Sequence, residues 1–394
     1  MRRTLIMLGV AGLTVALAMP AQAEPGRHDG YGRATLTGFA SLPAQTYVPG
    51  SEPSGSLLGT TPTNGITPPF PGQPVQGFSG IVSRGDGTFD VLSDNGYGQK
   101  ANSSDFLLRV HHIKPSFKDG KVKVLGGVNL TDPHGKVPFP LTRQDRKLTG
   151  ADFDVESILR TGDGTYWIGD EFGPWLLHFS ASGKLLEAPI ALPGVRAPEN
   201  PYLNGGTPNL GSSKGFEGMA RSVDGRTLYP LLEGTVAGDP AGTLRINEFD
   251  LRRRAYTGKR WTYQLDAPSN AIGDFIAIDK RRFLVIERDN NQGDAAAFKK
   301  IFEVTMDRDT TRKTLVADLL DLANPKHIGG FGDTFRFPFQ TIEDVVILDD
   351  RTLGVLDDNN YPFSNGRTPG VADNNEFITI RLTRDLHADK RVYS

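Results

Sequence analysis

Residues 215–233 read Gly215-Phe216-Glu217-Gly218-Met219-Ala220-Arg221-Ser222-Val223-Asp224-Gly225-Arg226-Thr227-Leu228-Tyr229-Pro230-Leu231-Leu232-Glu233. Two apolar-rich runs flank an Asp-Gly pair. Asp-Gly supplies the positive backbone dihedral that a tight hairpin needs, so the stretch predicts two antiparallel strands. One acid, Glu217, opens the first strand, and another, Glu233, ends the second.

The same grammar recurs along the chain. Gly77-Phe78-Ser79-Gly80-Ile81-Val82 is followed by Gly85-Asp86-Gly87 and by Phe89-Asp90-Val91-Leu92-Ser93-Asp94-Asn95. Val155-Glu156-Ser157-Ile158-Leu159 is followed by Gly162-Asp163-Gly164 and Tyr166-Trp167-Ile168-Gly169-Asp170-Glu171. Looser copies are Ile272-Gly273-Asp274-Phe275 with Phe283-Leu284-Val285-Ile286-Glu287-Arg288-Asp289, and Ile342-Glu343-Asp344-Val345 with Leu353-Gly354-Val355-Leu356-Asp357-Asp358-Asn359.

A second hairpin can follow each of the first four copies, at 106–125, 175–192, 244–265 and 301–317. Four strands per unit, at a period of roughly 55–75 residues, predicts the blades of a β-propeller with loop insertions. The expected fold is therefore all-β and a single propeller of five repeats, with room for a sixth, degenerate blade in the inserts. The fifth unit lacks an outer strand after 377–382. The strand-like segment 34–42 is expected to supply it and close the ring, which removes exposed sheet edges.

The chain begins with Arg2-Arg3, an apolar run over 5–19, and Ala21-Gln22-Ala23 before Glu24. That order is a secretory signal peptide, 1–23, cleaved after Ala23. A periplasmic or secreted domain, 24–394, is expected to follow. No later stretch is apolar enough for a membrane span. There is no cysteine, so no disulfide holds the fold. A net charge of -2 without a basic stripe argues against nucleic acid. A monomer acting on a small-molecule ester is expected.

Two sets of acids occupy fixed places in the repeat. The first opens the inner strand: Glu156, Glu217, Asp274 and Glu343, with Ser79 in the first copy. The second ends the following strand: Asp94, Asp170 with Glu171, Glu233, Glu287 with Asp289, and Asp357 with Asp358. In a propeller such positions converge on the axis. Converging carboxylates repel unless cations or protons intervene. Calcium, with its many hard oxygen ligands, suits them, and another divalent cation would also fit. The metal-ligand candidates are Glu156, Glu217, Glu343, Asp94, Asp170, Glu171, Glu233, Glu287 and Asp358. The alternative is that each acid caps a turn or accepts backbone N–H bonds.

Lys214 precedes Gly215, and Arg288 stands between Glu287 and Asp289. With Glu156 and Glu217 they form a candidate catalytic set, the cations holding an oxyanion and a metal-activated water attacking it. The scattered histidines have no zinc spacing. Ser79 lacks the strand-to-helix setting of a nucleophile elbow.

The blocks 77–81 through 93–96, 154–157 through 169–173, Lys214-Gly215-Phe216-Glu217-Gly218, Glu287-Arg288 and Asp357-Asp358-Asn359 resemble the phytase-like family, the "esterase-like activity of phytase" proteins. The resemblance runs over about 38–386. It implies an exported phosphate-ester hydrolase with the repeated acids in its site. Alternatives of other chemistry are a calcium-dependent lactonase or carboxylesterase, and a non-catalytic binding propeller braced by an ion. The Pro- and Gly-rich run 51–74 reads as a long surface loop, and the Phe-rich run 327–339 as a self-packed loop.

Overall fold

The structure, a computed structural model, describes residues 30–393; the expected leader lies outside them. Among the described residues there are strands, turns and short 3-10 turns, and no α-helix. Strand β1 (Thr35–Leu42) comes first. Then β2 (Phe78–Ser83), β3 (Phe89–Ser93), β4 (Arg109–Ser116) and β5 (Lys121–Asn129) form an antiparallel meander. A second consists of β6 (Val155–Arg160), β7 (Tyr166–Asp170), β8 (Trp175–Phe179) and β9 (Ile190–Ala191).

The third is β10 (Phe216–Arg221), β11 (Thr227–Leu232), β12 (Thr243–Asp250) and β13 (Ala255–Gln264). The fourth is β14 (Ala271–Ala277), β15 (Arg282–Arg288), β16 (Lys299–Asp307) and β17 (Thr310–Asp318). After the short pair β18 (Leu322–Ala323) and β19 (Thr334–Phe335), the last unit is β20 (Thr341–Asp349), β21 (Thr352–Asp358) and β22 (Asn375–Arg381). Strand β1 lies antiparallel along β22, from Thr35 opposite Arg381 to Leu42 opposite Asn375, and so becomes the fourth strand of that unit. Single parallel bridges, Ser41 with Lys121 and Thr262 with Thr310, join outer strands into larger sheets.

The first strands of the units pack on one another in turn: β2 on β6, β6 on β10, β10 on β14, β14 on β20, and β20 on β2. Their approach is set by glycines. Gly218 on β10 faces the backbone of Phe275 on β14, and Gly273 on β14 faces the carbonyl of Ile342 on β20. A methyl at either place would meet rigid backbone.

The hairpin turns share one device. Asp86 accepts from Thr88 N at 2.9 Å, Asp163 from Thr165 N at 3.1 Å and Asp224 from Arg226 N at 3.1 Å. These Asx turns explain why Asp recurs there. The following Gly164 and Gly225 have φ of 83° and 74°, the left-handed region that glycine adopts freely.

Apolar faces pack between neighbouring units. Trp167 and Leu176 of the second meet Met219, Leu228 and Phe249 of the third, while Leu231 and Ile246 of the third meet Phe275 and Phe302 of the fourth. Middle strands such as β3 and β7 are buried throughout, whereas β5 and β13 face solvent along much of their length. The Phe-rich segment joins the last core: Phe335, Phe337 and Phe339 are fully buried, with adjacent rings 6.1 and 4.9 Å apart. The 51–74 run is less superficial than its composition suggests. Phe70 anchors it, buried against Tyr361 at 4.8 Å and Tyr97 at 5.8 Å.

Gly218→Ala tests the close approach of first strands. Its Cβ would lie 2.7 Å from Phe275 Cβ and 2.9 Å from Phe275 N, so both strands must separate. A loss of about 1–3 kcal/mol in urea unfolding is expected, the usual cost of overpacking. Gly225→Ala, on an open turn, is expected to cost about 1 kcal/mol through its φ alone.

Candidate functional site

A bulge interrupts each first strand near its start. The register steps between Val155 and Ser157, between Phe216 and Gly218, and between Ile342 and Asp344. The residues caught in these steps are Glu156, Glu217 and Glu343. In the first unit the step spans Phe78 to Ile81 and includes Ser79; in the fourth it spans Ile272 to Phe275 and includes Gly273 and Asp274. Bulges re-aim a side chain out of the ordinary alternation.

The second strands end in register. Ser93, Asp170, Leu232, Glu287 and Asp357 pair with Phe78, Val155, Phe216, Ile272 and Ile342. The residues that follow are Asp94, Glu171, Glu233, Arg288 and Asp358. Bulge residues and strand-end residues are buried together, with Arg288 in the place an acid holds in the other units.

Arg288 binds the cluster together. Its Nη2 donates to Glu343 Oε1 at 2.9 Å and lies 3.6 Å from Glu233 Oε1 and 3.8 Å from Glu217 Oε1. Its Nη1 donates to Asn290 at 2.8 Å. Burial opposes the guanidinium charge, but Glu343, Glu233 and Glu217 outweigh it and hold the group above its ordinary value. Glu343 Oε2 accepts from Ser79 Oγ at 3.0 Å, so the serine of the first unit serves as a donor. Lys214 is ion-paired with Glu233.

Two trios of carboxylates lie close. Asp154, Glu156 and Glu171 each offer an oxygen within 4.8 Å of the others, and so do Glu171, Glu217 and Glu233. Glu171 belongs to both. Asp154 Oδ1, Glu171 Oε1 and Glu217 Oε1 are buried without a hydrogen-bond donor among the described residues. Such orphaned acceptors are costly in a dry site. Oxygen donors alone, with no histidine or cysteine in either trio, fit a hard divalent cation.

The expected site residues thus separate. Glu156, Glu171, Glu217, Glu233, Glu343, Lys214 and Arg288 come together. Asp94 and Asp358 border them: Asp94 accepts from Gln76 Nε2 at 2.9 Å and Gly96 N at 2.8 Å, Asp358 from Asn360 N at 2.7 Å and Thr341 Oγ1 at 3.1 Å. Asp170 instead ties a turn, accepting from Asp154 N at 3.0 Å and Gly173 N at 2.7 Å. Glu287 faces away, held by Tyr263 Oη at 2.6 Å, Asp266 N at 2.7 Å and Lys313 Nζ at 2.7 Å. Asp274 bridges strands, accepting from Phe275 N at 2.7 Å and Val345 N at 2.9 Å.

Asp154 is the member that sequence reasoning passed over. It lies two residues before Glu156, just ahead of β6, and with the bulge at Glu156 the two carboxylates offer oxygens within 4.8 Å of each other. Its Oδ2 accepts from Ser213 Oγ at 2.7 Å.

Burial raises the carboxyls of Glu156, Glu171 and Glu217 well above the usual range, and their mutual charges add to it. Asp94 is pushed up to about 8 by burial and by Asp154. A carboxyl raised on folding stabilises the fold at low pH and loses that contribution as pH climbs through its folded value. The chelator-treated protein should therefore lose melting temperature between about pH 5 and pH 8, and calcium, replacing the protons, should flatten the decline. In the same chelated state Glu171→Gln is expected to raise stability by removing a repelling charge. Asp170→Ala is expected to lower it by about 1–3 kcal/mol, because two backbone donors lose their acceptor.

The family described as phytase-like, esterase-like activity of phytase, matches residues 73–361. A secreted, uncharacterized protein of Arthroderma benhamiae is 24% identical, over 56% of this chain and 55% of that one, so the chain spans about half the length of that curated relative. A solved protein from Lactobacillus plantarum is 13% identical with a TM-score of 0.36, covering 81% of this chain and 77% of that one. The periplasmic gluconolactonase of Pseudomonas aeruginosa is 12% identical with a TM-score of 0.32, covering 78% and 73%. No helix of the described residues is long and apolar enough to cross a membrane. With its match spanning most of the sequence and its acidic blocks gathered into one buried cluster, the chain belongs to the phytase-like family.

Proposed function

We propose that the chain is a five-bladed β-propeller, closed by β1, and an exported, divalent-cation-dependent hydrolase of phosphate esters. The carrying observation is the pair of carboxylate trios with Asp154 Oδ1, Glu171 Oε1 and Glu217 Oε1 unpartnered. The family description, an esterase-like activity of phytase, supports ester hydrolysis, and the secreted relative supports export.

Asp154, Glu156 and Glu171 would hold one cation, and Glu171, Glu217 and Glu233 would offer a second position. Calcium is preferred because every donor is a hard oxygen. The bound cation would supply Lewis acidity toward the ester and a more acidic water.

The chain's own residues do the rest. Arg288 is a positioning residue: it fixes Glu217, Glu233 and Glu343 and offsets part of their charge. Lys214, with 43% of its side chain exposed, is the cation that reaches solvent beside the cluster. An incoming phosphoryl oxyanion competes with Glu233 for its ammonium. Glu156, set beside Asp154 and Glu171 in the first trio, is the carboxylate placed to accept the proton of the attacking water once the cation has displaced the cluster's own protons.

A bracing role for the ion is favoured by one observation: Glu156 and Asp94, the most open acids of the cluster, are only 8% exposed. The two readings part in one experiment. p-Nitrophenyl phosphate, its diester, p-nitrophenyl acetate and a lactone are incubated with the mature protein, with EDTA or with calcium. The proposal expects calcium-dependent phosphate release, abolished in Glu217→Gln. Lys214→Gln is expected to lower kcat/KM by about tenfold or more, mainly through KM, matching the roughly 1.5–3 kcal/mol of a charged hydrogen bond. Turnover of the acetate or lactone alone would move the chemistry to carboxylic esters. No turnover, with calcium still raising the melting temperature, would leave a structural ion.

A further inference from the structure

The acids lie at the starts of the first strands. The ends of the same strands border a different space, a cavity of about 540 Å³ reached by Val82, Arg160, Arg221, Ile276 and Val346. Each of these residues comes from a different unit. Arg160 is four residues beyond Glu156, so the two sites are about 13 Å apart along β6.

The cavity wall is mostly apolar, and of its arginines Arg391 is ion-paired with Asp389 at 2.6 Å, whereas Arg160 and Arg221 have no such partner among the described residues. Arg221 donates through Nη1 to the Arg160 carbonyl at 2.8 Å. Among the described residues it has no carboxylate partner, and burial holds its guanidinium below the ordinary value. The Arg160 side chain makes no hydrogen bond or ion pair among the described residues, and its Nε is buried without an acceptor. The bordering acid is Asp224, which is exposed and turned to Ser222 Oγ at 2.7 Å and Arg226 N at 3.1 Å.

A half-buried arginine lowers its free energy by meeting an anion, and a guanidinium binds two oxygens of a carboxylate or phosphate at once. The volume falls within the range of small-molecule sites, which pair apolar walls with few polar groups. We propose that this cavity is a second binding site, for a small molecule carrying one carboxylate or phosphate on an apolar body. Arg160 and Arg221 receive the anionic group, and Val82, Ile276 and Val346 receive the apolar part. The site does not depend on the hydrolase reading, since it shares no residue with the acid cluster.

Isothermal titration with octanoate, phenyl phosphate, octan-1-ol and inorganic phosphate tests it. Octanoate or phenyl phosphate should bind saturably, with octan-1-ol and inorganic phosphate at least tenfold weaker. Which of the two anions binds more tightly tells a carboxylate site from a phosphate site. Arg160→Gln, whose side chain holds nothing else in place, should weaken binding at least tenfold with an unchanged melting temperature. Arg221→Gln should weaken binding as much, with a lower melting temperature because the Arg160 carbonyl loses its donor. Glu217→Gln should leave binding intact. Absence of saturable binding by either anion, equal binding of octanoate and octan-1-ol, binding insensitive to Arg160→Gln, or binding lost in Glu217→Gln would each overturn the proposal.

Discussion

One guanidinium organises the buried centre of this protein. From the fourth unit, Arg288 reaches Glu217 and Glu233 of the third and Glu343 of the fifth, and the trios around Glu171 crowd the same space. Arg288 and Lys214 cannot balance Asp94, Asp154, Glu156, Glu171, Glu217, Glu233 and Glu343. Protons or a metal ion must supply the difference, because uncompensated carboxylates in a dry site are costly. The raised carboxyls of Glu156, Glu171 and Glu217 express that demand.

The backbone makes this crowding unavoidable. Gly218 and Gly273 let neighbouring first strands approach closely, and the bulges turn Glu156, Glu217 and Glu343 out of the strand alternation. Elsewhere the chain uses acids in a cheaper way. Asp86, Asp163 and Asp224 bind backbone donors in solvent-facing turns, and Asp170 and Asp274 do so inside. The same residue type therefore serves two purposes, separated by whether backbone N–H groups are within reach.

Much of this was legible in the sequence, for physical reasons. Hairpin turns need Asp-Gly, and strands need apolar runs, so the repeat and the strand 34–42 could be read directly. The inward acid of an adjacent pair could not. In Asp170-Glu171 the second residue joins the cluster while the first ties a turn, and composition is blind to that difference. In the fourth unit the pairing of Ile272 with Glu287 puts Arg288 in the register of Glu171 and Glu233, so the arginine replaces an acid and Glu287 faces Lys313. Asp154 carried only its nearness to Glu156, since the bulge that lets the two carboxylates meet is not written in their spacing. The arginine-lined cavity carried none, since Arg160 and Arg221 meet only when the first strands are packed side by side.

The central claim is that the carboxylate cluster holds a cation. A crystal structure of the protein grown with calcium tests it most directly. The account predicts an ion about 2.3–2.6 Å from oxygens of Asp154, Glu156 and Glu171. Ordered carboxylates bridged by short hydrogen bonds, with no ion among them at saturating calcium, would contradict it.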